Sequence, residues 1–451
     1  DRDKPAFLSL HVFNLVPRAD AAVAVRFLDF FDTVIAERTV TGTANENGRM
    51  QLETPMPSVA GSVRAFASLS IGGTAQKIQM GKTNVMLRAA AVRTIAPMSE
   101  EEKDMQFLGM SSLEPTIFDP YDDRSYFEHD INDYRAWRRI LGTFHERLHS
   151  LRWAHLEKNK GEYRWDFWDK LIDGEHRDGV RLQVTLLTIP EWHAKELYPD
   201  RKYIWDGTYS KPDMNEWRRL CTDVTTRYKG KISEIEVWNE PSEFSKFWYK
   251  ADASDYFDLI KNASETVRAV DPRIAIVAET VWARQLDFSQ KLYALGVGKY
   301  IDHPADHYWT DERLESVNLF LASVGMNRGL YANETKSGIR DNVGEVTEDL
   351  RKKSARMMLR NLIYGNANGI ARTYEFMMGS LAERIYGLVN PDNTPKYLFS
   401  VMKTAVNRTA GARFEKRIAL AANVDSFLYR YMNPVRIREN HGETALFIFN
   451  R

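Results

Sequence analysis

Two short runs concentrate the chemistry available to this chain: Trp238-Asn239-Glu240-Pro241 and Asn333-Glu334-Thr335. Each closes an apolar segment of strand length, and the two glutamates lie 94 residues apart in sequence. Two carboxyl groups brought face to face, one protonated and one ionised, can cleave an acetal. The first gives a proton to the departing oxygen, and the second attacks the anomeric carbon or activates water. Asn239 immediately precedes Glu240 and can hydrogen-bond a sugar hydroxyl beside the reacting carbon.

Other chemistries find no support. The single cysteine, Cys221, lies in a helical run and reads as a small buried apolar residue, which removes disulfides and Cys-rich zinc sites. No Gly-rich phosphate loop and no His-Glu-x-x-His motif is present. His145 and His149 are four apart but lack a matching third ligand, so neither a metal nor a cofactor is expected. The chain has 62 basic and 62 acidic residues, giving no basic field to collect phosphates; nucleic acid is excluded as a main partner. No apolar run approaches the roughly 20 residues of a membrane-spanning helix. The start at Asp1 without an initiator Met suggests a processed N-terminus, and a secreted or periplasmic location is expected, with the cytoplasm left open.

The glutamates need a scaffold that brings distant strand ends together. Eight apolar strand candidates follow residue 103: Met105–Met110, His149–Trp153, Arg181–Thr188, Ile232–Asn239, Ile274–Glu279, Pro304–Trp309, Gly329–Glu334 and Gly369–Phe376. The spacings between them leave room for crossover helices, and Asp213–Tyr228, Ser254–Val270 and Val346–Tyr364 carry apolar positions at helical spacing. This is the rhythm of an α/β chain folded as a (β/α)8 TIM barrel, whose reactive face lies at the strand C-terminal ends. Thr394-Pro395 reads as the cap and first turn of the helix after strand eight. Ahead of the barrel, alternating runs between Phe7 and Arg93 predict a β-sandwich, and Ala89–Lys103 reads as a linker. The expected division is residues 1–95 sandwich, 96–412 barrel and 413–451 a β segment that either joins the sandwich or begins a further domain.

The stretch from Leu151-Arg-Trp-Ala-His through Arg164-Trp-Asp-Phe-Trp-Asp169, with Thr188-Ile-Pro-Glu-Trp192 and the two glutamate runs, resembles retaining glycoside hydrolases of clan A, closest to families 39 and 42. The resemblance spans roughly residues 105–410. It implies Glu240 as acid/base, Glu334 as nucleophile, Asn239 as partner of the sugar 2-hydroxyl, and Arg152 as the cation that keeps Glu334 ionised, with Asn333 beside it. Such families often show His-x-Tyr on strand six. This chain has Asp306-His307-Tyr308-Trp309, which makes His307 a site candidate and leaves open the part played by the Tyr308 hydroxyl. Strand eight offers Tyr374 where a sugar platform is usual. Trp192, Trp238, Trp282 and Trp309, near strand ends, are candidate walls for sugar rings, whereas Trp137, Trp165, Trp168 and Trp217 read as packing.

The reading is a glycosidase acting on an oligo- or polysaccharide by double displacement, with carboxyl groups about 5–5.5 Å apart. The alternatives are a transglycosidase using the same residues and a carbohydrate-binding protein on a degenerate barrel. Asp119, Asp122, Asp123 and Arg124 after strand one, and Arg201 and Lys202 after strand three, read as solvated loop charges rather than contacts to a charged sugar. The oligomeric state is not legible.

Overall fold

The computed structural model describes residues 7–13, 15–29, 32–57, 61–75, 87–91, 95–111, 124–194, 211–241, 252–282, 286–339, 346–379, 386–390 and 394–450. Its centre is a closed barrel of eight parallel strands: β1 (Leu108–Ser111), β2 (His145–Arg152), β3 (Arg181–Leu187), β4 (Glu234–Val237), β5 (Ala275–Glu279), β6 (His303–His307), β7 (Leu330–Thr335) and β8 (Ile370–Glu375). β8 pairs with β1 through Thr373 opposite Leu108 and closes the cylinder. The strands are buried over nearly their whole length, which explains why they read as apolar runs without strict alternation: helices cover one face and the barrel interior the other.

The helices start where local chemistry lets them. Asp213 accepts hydrogen bonds from the main-chain N–H groups of Asn215 and Glu216 to open Met214–Arg227; Asp252 and Thr347 do the same for Ala253–Val270 and Glu348–Ala367. Two expectations need correction. Residues read as linker and as the first residue of strand one form a helix, Glu100–Met105, because Ser99 and Glu102 make a reciprocal capping box. The last barrel helix begins at Tyr397, just after Lys396 and without a side-chain cap, because Pro395 is engaged in a bridge with Val389.

Outside the barrel, Asp20–Leu28 lies between Val34–Thr43 and Gly61–Ile71 in a five-stranded antiparallel sheet, and Phe7–Val12 pairs with Met50–Pro55. Leu10, Val23, Val25, Phe27, Leu52 and Leu69 give this unit its own core. The C-terminal strands Ala412–Arg417, Val424–Tyr431 and Thr444–Asn450 form a separate antiparallel sheet. Phe427, Tyr429 and Tyr431 of that sheet belong to the barrel's core cluster, so it packs on the barrel.

Backbone strain gathers at the strand C-terminal ends. Thr188 (φ 68°), Trp238 (φ 65°), Glu240 (φ 47°) and Tyr308 (φ 51°) adopt the left-handed region that residues with a Cβ avoid. All four follow barrel strands, on the face where the two glutamates emerge.

Candidate active site

Glu334 is placed by an irregularity in β7. Against β6, Asp306 pairs with Ala332 and the next residue, His307, with Glu334; against β8, Ala332 pairs with Thr373 and Thr335 with Glu375. β7 therefore carries one extra residue between Ala332 and Thr335. Such a bulge re-aims side chains. Asn333 turns into the barrel, where its Nδ2 donates to Glu236, while Glu334 reaches the mouth. There Arg147 Nη1 donates to Glu334 Oε2 at 3.0 Å and the Tyr308 hydroxyl donates to Oε1. Burial pushes this carboxyl up, but the charged His307 ring, the Arg147 guanidinium and the Tyr308 hydroxyl outweigh it, holding the group well below the usual carboxylate range.

Arg147 is the hub. Its guanidinium gives Nε and Nη2 to the two oxygens of Glu236 (2.7 and 3.0 Å), Nη1 to Ser111 Oγ (3.2 Å) and Glu334, and Nη2 to Asn239 Oδ1 (2.7 Å). All five N–H groups are thereby used. His149, two residues further along β2, contacts Asn239 Oδ1 through Nε2 at 2.9 Å. Burial and the nearby Arg147 charge pull this ring down to about 3, so it is neutral at ordinary pH and donates to Asn239 from Nε2. With Oδ1 accepting twice, the amide NH2 is the group that Asn239 has left to donate. That is the donor a sugar hydroxyl needs.

Glu240 leaves β4 on a left-handed residue. Its main-chain N–H donates to Glu279 Oε1 at 2.8 Å, and its own Oε1 lies 3.0 Å from His307 Nδ1. The other ring nitrogen of His307, Nε2, is 3.1 Å from that same Glu279 Oε1. Burial alone would pull His307 down; the neighbouring Glu279 and Glu334 and the hydrogen bond to Glu240 outweigh it and hold the ring at about 9. Consecutive residues thus serve opposite sides of the cleft: His307 holds Glu240 and Tyr308 holds Glu334, their rings 5.8 Å apart between centroids. The left-handed Tyr308 allows both to face inward.

Several expected site residues lie elsewhere. The guanidinium on Glu334 belongs to Arg147, not Arg152; Arg152 is fully buried at the end of β2, in the position just before the short helix Trp153–Leu156. Asn333 serves Glu236 rather than Glu334. Tyr374 is fully buried with its hydroxyl donating to Glu234 at the start of β4, in the barrel's lower layer, and cannot be a sugar platform. Trp309 stacks on Tyr364 and packs among Val317, Leu321 and Ile370 on the barrel's outside. Trp238 is buried against Trp217. Trp192 and Trp282 remain partly exposed; the first donates its indole N–H to the Glu157 carbonyl, and the second follows β5. Trp165 and Trp137 are partly buried and Trp168 and Trp217 fully, in keeping with packing. The loop charges Asp119, Asp122, Asp123, Arg201 and Lys202, and the side chain of Arg124, lie outside the described residues.

Sequence reasoning missed Arg147, His149 as a site residue, and Glu279. The signal was the period-two alternation His145-x-Arg147-x-His149, obscured because strand two was expected to start at His149. Glu236, Glu279 and His307 bring three ligand atoms within 4.8 Å. Glu236 does not fit a metal, since Arg147, Gln183, Thr185 and Asn333 already donate to both its oxygens. Among the described residues no helix is long and apolar enough to cross a membrane.

The family described as glycosyl hydrolases family 39 matches residues 139–287, a span that contains β2 to β5 and Glu240. A family 39 glycoside hydrolase from the gut symbiont Bacteroides cellulosilyticus WH2 is similar in structure over 99% of this chain and 87% of that one, at TM-score 0.68 and 13% identity. A family 39 β-xylosidase from Caulobacter crescentus matches 74% of this chain and 79% of its own, at TM-score 0.54 and 17% identity. A monomeric β-xylosidase from Caulobacter crescentus CB15 gives 73%, 75%, 0.53 and 16%. At these identities the structural likeness carries the fold.

Proposed function

Since this chain is a glycoside hydrolase resembling family 39, we propose that it cleaves its glycosidic bond with retention, using Glu334 as nucleophile and Glu240 as acid/base. The observation that carries this reading is the pair of adjacent residues at the end of β6 that hold the two glutamates: His307 on Glu240 and Tyr308 on Glu334. Glu334 is kept ionised by Arg147 and the charged His307 ring, as a nucleophile must be. Its carboxylate attacks the anomeric carbon while Glu240 gives its proton to the departing oxygen. Water then attacks the glycosyl ester, passing a proton to Glu240 and freeing Glu334. The Asn239 amide faces the 2-hydroxyl in this scheme, and the substrate is an oligo- or polysaccharide.

The test is a screen of chromogenic glycosides, β-xylosides among them, and polysaccharides with the wild type and Glu334→Gln. The substitution should lower kcat by ~10³-fold or more. Proton NMR of the first product anomer should show retention. Activity that survives the substitution, or an inverted first product, overturns the mechanism.

A further inference from the structure

We propose that Glu279, at the end of β5, is a positioning residue for Glu240, acting through His307 and through the Glu240 main chain, so that only one of the two Glu240 oxygens can carry the catalytic proton. This rests on the assignment of Glu240 as acid/base.

Geometry leads to it. Glu279 is fully buried, and a single oxygen, Oε1, meets both the Glu240 N–H (2.8 Å) and His307 Nε2 (3.1 Å). Its Oε2 has no hydrogen-bond partner among the described residues. A buried carboxyl oxygen without a partner costs free energy, and burial pushes this group up to about 8 against the charged His307 ring, so the residue serves something other than packing. One oxygen fixes the left-handed main chain of Glu240 and, across the ring, the side chain. Nε2 lies in ion-pair contact with Glu279 but outside hydrogen-bond geometry, and the charged ring presents Nδ1–H to Glu240 Oε1. A carboxyl oxygen that accepts this bond is a poor place for a proton. The acidic proton therefore sits on Oε2, the oxygen left to face the substrate.

The proton bookkeeping closes without altering His307. Glu240 Oε2–H passes its proton to the leaving oxygen as the C–O bond breaks and Glu334 forms the ester; in the second step Oε2 takes a proton from the attacking water. His307 keeps both N–H groups throughout. The charged and titratable groups facing Glu279 are His307 on β6, Glu236 and Glu240 on and after β4, Arg147 on β2, and Tyr256 on the helix after β4. Glu279 is the one of these that touches both the ring and the main chain of the acid/base.

The experiment compares kcat/KM for a phenyl and a 2,4-dinitrophenyl glycoside of the same sugar. The dinitrophenolate departs without protonation; the phenolate needs it. Glu279→Gln should lower kcat/KM by ~10²-fold on the phenyl glycoside and by less than about threefold on the dinitrophenyl one. Glu279→Asp, which keeps a carboxyl group, should recover part of the rate on the phenyl glycoside and covers the case in which the first variant folds poorly. Equal losses on both glycosides would make Glu279 merely structural and overturn the proposal. Loss of retention in wild type, or activity in Glu334→Gln, would instead sink the two-glutamate reading on which it rests.

Discussion

At the residue scale the centre is held by a buried arginine whose every N–H meets an acceptor. Desolvating a guanidinium costs several kcal/mol unless its pairing is complete, and Arg147 completes it across Glu236, Glu334, Asn239 and Ser111. Lysine offers a single point of charge and cannot span these partners. Arg147→Lys should lower kcat by roughly 10²-fold and destabilise the fold by about 3 kcal/mol, read by kinetics and thermal melting. His307 sets a second expectation. Its folded-state value, about 9, stands above the ordinary ~6.5. The stability from its pairing is fully present below pH ~6.5 and is lost as pH rises through about 9. The melting temperature should fall across that window, and His307→Gln should flatten the fall; a wild-type melting temperature constant from pH 6.5 to 9 would contradict it.

At the scale of elements, strand irregularities decide which side chains meet. The extra residue in β7 lets Asn333 and Glu334 both turn inward at different depths, and left-handed Tyr308 does the same for β6. Neither device has a glycine to announce it. The Trp309 ring shows the reverse: it follows β6 closely in sequence yet packs outward under the helix Glu348–Ala367, against Gly365 and Tyr364. Trp309→Ala should cost about 3–5 kcal/mol of stability and leave KM for a cleaved glycoside unchanged. A raised KM with unchanged melting would return this ring to the cleft.

For the whole molecule, the C-terminal sheet completes the barrel's core. Phe427, Tyr429 and Tyr431 are buried in the same cluster as the barrel helices, and Arg436 pairs with Glu102 of the helix before β1 at 2.9 Å, itself buried. Removing residues 412–450 should expose this apolar surface and give insoluble protein, whereas an internally cored sandwich predicts a milder effect from removing residues 1–95. Soluble, active protein without the C-terminal sheet would refute the first expectation.

Much was legible in the linear chain. Eight apolar segments spaced for crossover helices announced the barrel, and the two Asn-Glu runs named Glu240 and Glu334, because strand periodicity and motif are local properties. Arg147 escaped because strand two begins at His145, earlier than the apolar run suggested, and propensity places boundaries poorly. Glu279 escaped because a carboxylate ending a strand looks alike whether it faces solvent or a histidine from the neighbouring strand. The sequence by itself determined which elements form and which two carboxylates crown them. Only the tertiary structure decided that Arg147 rather than Arg152 meets Glu334, that Tyr374, Trp238 and Trp309 are packing, and that His307 lies between Glu240 and Glu279. Those outcomes depend on bulges, left-handed residues and depth within the barrel, which arise only when the sheet closes.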